Sequence, residues 1–133
     1  MSGETNISKL IQEMSPELNP GEYVFSTVPS TNDIERKDTL CELKEKEGTT
    51  VVIEKSKADH LKLPYDYAAS RITLRIHSSL EAVGLTAVFS TALAKNDISC
   101  NVIAGYYHDH IFVDTKDSEK AMSVLTALAH KSK

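Results

Sequence analysis

The sequence is poor in cysteine, in basic charge and in long apolar runs, and each shortage excludes a class of protein. Cys41 and Cys100 are its two cysteines and form no C-x-x-C pair, which argues against a disulfide framework. The formal net charge of −4 is unlike the basic surface of a non-specific nucleic-acid binder. No apolar run approaches the roughly 20 residues that span a bilayer, and the first residues do not resemble a signal peptide. We therefore expect a cytoplasmic protein without nucleic-acid or membrane partners.

Catalytic motifs are missing as well. The sequence contains no G-x-S-x-G, H-E-x-x-H, P-loop or G-x-G-x-x-G pattern. Cys100 and His77 would be candidates for a nucleophile and its base, but Cys100 begins a predicted strand and is expected to face the core. The sequence therefore predicts a protein that is not an enzyme and holds no cofactor.

The segment "GYYHDHIFVD", Gly105 to Asp114, is the strongest candidate for a metal site. In a strand, His108 and His110 would lie on one face, but a metal site needs three or four ligands. A hairpin turn is predicted near Tyr107 to Asp109, which makes His108 and Asp109 turn residues. The favoured interpretation is a structural or ligand-lining hairpin without metal, and a metal-dependent enzyme at this turn is the alternative.

The second half of the chain predicts the order strand, helix, strand, strand, helix. "RITLRIH" (71–77) alternates between apolar and polar residues. The following helix is predicted to start at a capping box of Ser78 and Glu81, to contain Gly84 and to end at Asn96 as a left-handed stop. The last helix is predicted to have Ser118 as its N-cap. One further strand would complete the β-α-β-β-α-β pattern of ferredoxin-like folds.

The first half looks like a shortened copy of the second. A helix over "ISKLIQEM" precedes a strand, "EYVFSTV". Strands at 39–44 and 49–54 then form a hairpin around Glu47-Gly48, and "KSKADHLKL" predicts a short helix. A degenerate duplication is expected, with an N-terminal subdomain over residues 1–66 and a second over 67–133.

The start of the helix after "RITLRIH" is a candidate binding site. A helix N-terminus offers unpaired N–H groups and the positive end of the helix dipole, which together suit a carboxylate. Gly84 within that helix would cost about 1 kcal/mol relative to alanine, which suggests either close approach of a ligand or crowding between helix and sheet.

Residues 72–113 resemble the signature region of small stand-alone bacterial ACT-domain proteins. The similar segments are "SSLEAVGLTA", "ISCNV" and "YYHDHIFV", with "GEYVFSTV" and "EKEGTTVVIE" in the first half. The resemblance implies an α+β, ferredoxin-like (ACT) sandwich, a tandem of two ACT-like subdomains with the first abbreviated. ACT domains are typically regulatory modules that bind amino acids at interfaces between domains or subunits.

That resemblance implies a non-catalytic regulatory protein with an amino-acid-like ligand. The expected ligand-binding residues are His77, Ser78, Ser79, Leu80, Glu81, Val83, Gly84, Asn101 and Val102. The alternative is a pure oligomerisation module without ligand, in which Ser78 and Glu81 consume the free N–H groups. Open sheet edges and the polar face of "RITLRIH" predict a homodimer.

Overall fold

A computed structural model describes residues 6–75 and 83–131. None of the helices within these ranges is long and apolar enough to cross a membrane. The helices are α1 (Ile7–Glu13), α2 (Lys55–Leu61), α3 (Leu85–Ala94) and α4 (Ser118–Lys131). The strands are β1 (Pro16–Leu18), β2 (Tyr23–Val28), β3 (Thr39–Lys44), β4 (Thr49–Glu54), β5 (Ala68–Leu74), β6 (Cys100–Ala104) and β7 (Asp109–Asp114).

The chain divides into two compact units, each with its own core. The central unit is Pro20–Ser70, and the split unit combines Met1–Asn19 with Arg71–Lys133. The predicted subdomains, 1–66 and 67–133, describe a duplicated sequence pattern, whereas these units describe packing. The difference between the two divisions lies mainly in α1 and β1, which pack with the split unit.

The central unit has the strand order β3-β4-β2-β5. The first residues of β5 pair with β2, where Ala69 lies opposite Tyr23. A single 3-10 turn, Arg36–Asp38, stands where the ferredoxin-like pattern has its first helix. The small core consists of Val24, Ile53 and Ala58, with Ile34 and Leu61 among the residues packed around it. This unit is the abbreviated copy that the sequence predicts.

The split unit has the strand order β1-β5-β7-β6. β1 pairs antiparallel with β5, with Glu17 opposite Thr73, and so takes the place of the fourth ferredoxin-like strand. The N-terminal segment thus supplies the strand that the second half of the sequence lacks. The core on the helix side of the sheet includes Leu10, Ile11, Met14, Ile72, Leu74, Phe89, Leu93, Ile111, Val113 and Leu125. The prediction of two ferredoxin-like units in tandem is confirmed.

Local signals predicted some boundaries and missed others. β3 and β4 have the predicted limits. The left-handed residue after α3 is Asp97 (φ 59°) rather than Asn96, whose Nδ2 instead donates to the Ala92 carbonyl at 2.9 Å. The prediction of Ser118 as N-cap is also wrong, because Ser118 already has helical backbone angles. Asp114 is the capping residue here, and its side chain accepts from the Lys116 N–H of the 3-10 turn Thr115–Asp117.

Candidate functional site

The start of α3 contains two of the predicted ligand-binding residues. Gly84 is the N-cap, with φ +95°, and the helix begins at Leu85. The prediction of Gly84 within the helix is therefore wrong. Its left-handed backbone is one that glycine adopts without steric cost. A Cβ at this position would meet no described atom within 4 Å, and Val83 before it is 85% exposed.

The other residues predicted for this region lie outside the described ranges. They are His77, Ser78, Ser79, Leu80 and Glu81. The predicted capping box of Ser78 and Glu81 falls on them and stays a prediction. Gly84 itself has no side chain with which to cap the first turn of α3, and its carbonyl accepts from the Val88 N–H at 3.0 Å.

Asn101 and Val102, the remaining predicted residues, lie next to each other on β6 but face opposite sides of the sheet. Val102 packs against the core that the helices cover, and α3 contacts β6. Asn101 is exposed on the other face and lies opposite Phe112 in the register. Of these two side chains, only that of Val102 shares the face on which α3 packs.

The backbone hydrogen bonds between β6 and β7 show where the N–H and C=O groups of Val102 point. The Gly105 N–H donates to the His108 carbonyl at 2.9 Å, so this pair is the bonded pair that closes the hairpin. Bonded and non-bonded pairs alternate along an antiparallel ladder. Val102 lies opposite Ile111, which makes this pair non-bonded. The backbone N–H and C=O of Val102 therefore point away from β7, to an edge with which no strand of the described residues pairs.

The β6–β7 hairpin explains the His-Asp-His segment. His108 lies in the loop as predicted, whereas Asp109 is already the first residue of β7 and pairs with Ala104. A Cβ on Gly105 would lie 2.8 Å from the His108 carbonyl oxygen, so this turn needs glycine. Within residues 6–75 and 83–131, no group of three or more His, Cys, Asp or Glu side chains is arranged to hold a metal ion.

Cys100 does not have the environment of a nucleophile. Its side chain packs against the helix-side core, and burial raises the pKa of the thiol. A raised pKa keeps the thiol protonated at neutral pH, whereas the thiolate is the reactive form. His77, the candidate base for Cys100, lies outside the described residues.

A polar network on the helix-free face of the split unit was not predicted. The Thr73 network consists of Asn19, Arg71, Thr73 and His110. Asn19 Nδ2 donates to Thr73 Oγ1 at 2.9 Å, and Thr73 Oγ1 lies 3.1 Å from His110 Nδ1. Asn19 Oδ1 accepts from the Arg71 guanidinium at 3.3 Å. Thr73 is only 7% exposed, so this part of the polar face of "RITLRIH" is covered, whereas Arg75 on the same face is exposed.

His110 makes the stability of the protein depend on pH. Its pKa lies below the ordinary value of 6.5 because burial disfavours the imidazolium, and the positive charges of Arg71 and His108 add to this. The unfolded chain therefore binds a proton here more readily than the folded chain. The contribution of neutral His110 is complete above pH 6.5 and is lost as the pH falls toward the lowered folded value.

We expect His110→Gln to flatten the decline of the unfolding free energy below pH 6.5. Urea unfolding from about pH 5 to about pH 8 measures this slope. Exposed His60→Gln is the control substitution. Burial raises the pKa of Asp109, opposed by nearby His108, so Asp109 acts with the opposite sign at lower pH. Equal slopes in the wild type and His110→Gln would contradict the expectation.

A groove with a volume of about 880 Å³ lies between α3 and α4 of the split unit. Lys95 and Lys120 are among the residues that line it. The lining residues include Ala87, Thr91, Ala92, Ser123 and Ala127. This groove contains none of the residues predicted to bind a ligand.

Two ferredoxin-like units in tandem define a duplicated α+β fold. The chain belongs to the ACT domain family. One ACT domain model matches residues 2–70, and a second matches residues 69–127. Among the curated proteins, none matches the chain significantly.

Solved structures agree with this assignment. A Vibrio cholerae protein of unknown function, described as a possible transport protein, is 46% identical, with a TM-score of 0.82 over 92% of this chain and 94% of that chain. The aspartate kinase of Clostridium acetobutylicum has a TM-score of 0.61 at 15% identity, over 89% of this chain and 34% of that chain. The ligand-free regulatory subunit of Thermus thermophilus aspartate kinase has a TM-score of 0.58 at 9% identity, over 85% of this chain and 95% of that chain. The two kinase structures share the fold with this chain.

Proposed function

We propose that this ACT protein is a non-catalytic regulatory protein that binds an amino acid, or a similar small molecule, at the start of α3. The binding residues would be those of the segment before α3 and of β6: His77, Ser78, Ser79, Leu80, Glu81, Val83, Gly84, Asn101 and Val102. The observation that carries the proposal is the glycine N-cap of α3, at which a Cβ would meet no described atom within 4 Å.

The chemistry of this region suits both ends of an amino acid. The first N–H groups of a helix carry partial positive charge and attract a carboxylate. The backbone C=O of Val102, at the free edge of β6, would accept from the ammonium group. Asn101 lies on the opposite face of β6, so it would contact only a ligand that extends around the edge of this strand. Further support comes from the structural similarity to the regulatory subunit of Thermus thermophilus aspartate kinase.

The other parts of the proposal concern the setting of the protein. We propose a homodimer in the cytoplasm, with no cofactor and with neither nucleic acid nor membrane as a partner. The acidic net charge and the sparse, unpaired cysteines support this setting. The competing function is an oligomerisation module without ligand.

Ligand binding is expected to raise the melting temperature. A ligand that binds only the folded state at a hundredfold excess over its Kd stabilises that state by about 2.7 kcal/mol. For a chain of this size the melting temperature should rise by roughly 2–8 °C. The measurement is a thermal-shift screen with each standard amino acid at millimolar concentration. If no amino acid moves the melting curve, the oligomerisation module is the better description.

The position of the site is tested with two glycines that both have a positive φ. Gly84 has φ +95° and Gly21 has φ +85°, and a Cβ at either position meets no described atom within 4 Å. Gly84→Val and Gly21→Val should therefore introduce comparable backbone strain, but only Gly84→Val fills the proposed ligand space. We expect the ligand-induced shift to vanish in Gly84→Val and to persist in Gly21→Val. A shift that survives in both variants would place the ligand elsewhere.

A further inference from the structure

The outer edge of β3 is the most exposed apolar strand edge of the central unit. β3 pairs with β4 on one side, and no strand of the described residues pairs with its other side. Leu43 is 61% exposed and Leu40 is 41% exposed. A free edge with exposed leucines offers unpaired backbone groups together with apolar surface, which favours pairing with another strand.

The backbone hydrogen bonds between β3 and β4 show which residues of β3 have N–H and C=O groups that point away from β4. The Glu45 N–H donates to the Gly48 carbonyl at 3.0 Å, so this is the bonded pair that closes the β3–β4 hairpin. Bonded and non-bonded pairs alternate along the strands from this point. The pair Lys44–Thr49 and the pair Glu42–Val51 are therefore non-bonded. The backbone N–H and C=O groups of Glu42 and Lys44 therefore point to the free edge.

We infer that β3 pairs antiparallel with β3 of a second copy of this chain, in a register centred on Leu43. This inference deepens the self-association part of the proposed function and does not depend on ligand binding. In this register Glu42 lies opposite the other copy's Lys44, and Lys44 lies opposite its Glu42, in bonded pairs. The two Leu43 residues form the non-bonded pair at the two-fold axis, where Cα atoms approach to about 4.5 Å.

Neighbouring registers are less favourable for reasons of charge. A two-fold axis at Glu42 places the two Glu42 carboxylates opposite each other, and an axis at Lys44 does the same with two ammonium groups. Like charges directly opposite each other destabilise a sheet. An axis at Cys41 places Leu40 opposite Glu42 and leaves Lys44 without a strand partner. Only the Leu43 register gives two complementary ion pairs, and opposite-charge cross-strand pairs stabilise.

A charge-swap series tests the register. Glu42→Lys and Lys44→Glu each replace two attractive pairs of the dimer with two repulsive ones, so each should weaken dimerisation roughly tenfold or more. The double variant Glu42→Lys/Lys44→Glu restores opposite charges and should dimerise like the wild type. The matched control swaps Glu35 and Lys37, which have the same spacing and form an exposed ion pair at 3.2 Å. Sedimentation equilibrium over a range of concentrations measures the dimer Kd.

Oxidative crosslinking provides an independent measurement. Leu43→Cys should form a disulfide-linked dimer, because Cα atoms about 4.5 Å apart fit disulfide geometry. Native Cys41, which faces the other copy's Glu45 in this register, should not. Crosslinking through native Cys41, or a double charge swap that fails to restore the dimer, would overturn the register. If the wild type is a dimer and neither single swap weakens it, β3 pairing is overturned but the proposed homodimer remains. If the wild type is a monomer at all concentrations, both are overturned. A thermal shift with an amino acid would be unaffected in either case.

Discussion

Replacing Leu10 by alanine is expected to lower the free energy of unfolding by about 3 kcal/mol. Leu10 is 1% exposed and lies in the core of the split unit, in contact with the helices α3 and α4 through α1. Truncation removes buried methyl groups and leaves a cavity that a packed core fills only in part. Urea unfolding followed by circular dichroism measures the loss.

The control lies two residues earlier on the same helix. Ser8 is exposed, and Ser8→Ala should change the unfolding free energy by less than about 0.5 kcal/mol. Hydrogen exchange should also show where Leu10→Ala acts, with faster opening of α4 than of the β3–β4 hairpin. A loss below about 1 kcal/mol, or faster exchange confined to the central unit, would contradict the packing of α1 in the split unit.

Local signals in the sequence predicted the elements that depend on neighbouring residues. The β3–β4 hairpin is an example, because the tight connection at Glu47-Gly48 joins two strand-like runs, of which β4 is rich in β-branched residues. The duplicated order of elements followed from the same kind of signal. The resemblance to ACT proteins then supplied the fold of the whole chain.

β1 could not be found in this way. It has three residues, begins with a proline and pairs with β5, which is far away in the sequence. No local pattern distinguishes such a segment from a loop. The long-range pairing also explains why the sequence assigned α1 to the N-terminal half, although its apolar side chains pack in the split unit.

The predicted start of α3 shows the limit of a local signal. Ser78 and Glu81 have the spacing of a capping box, which predicted a helix that starts there and contains Gly84. The structure places the N-cap of α3 at Gly84. The side chains of β6 alternate between the two faces of the sheet. Asn101 and Val102 are adjacent in the strand and therefore lie on opposite faces.

The Thr73 network was invisible in the sequence because it joins three distant segments. Asn19 follows β1, Thr73 lies in β5 and His110 lies in β7. The sole signal was a threonine on the polar side of an alternating strand, and that signal normally indicates solvent exposure. Only the pairing of β1 with β5 brings Asn19 to Thr73.

Removal of the Thr73 hydroxyl is expected to destabilise the protein by about 1–3 kcal/mol. Valine has nearly the same shape, so Thr73→Val isolates the hydrogen bonds from packing. Asn19 Nδ2 retains its bond to the Arg71 carbonyl at 3.1 Å, whereas His110 Nδ1 loses the hydroxyl that lies 3.1 Å away. A half-buried imidazole nitrogen without its partner carries the cost of lost solvation.

Thr126→Val is the matched control, since Thr126 is exposed on α4, and its effect should stay within about 0.5 kcal/mol. A double-mutant cycle with Asn19→Ala separates the network from two independent losses. Residues in one hydrogen-bond network show coupling energies of about 0.5–3 kcal/mol. Because Asn19 directly follows β1, a coupling in this range would mean that the Thr73 hydroxyl holds the N-terminal segment to β5. Additive effects, or a Thr73→Val loss equal to that of Thr126→Val, would show that β1 is held by its backbone pairing and the packing of α1 instead.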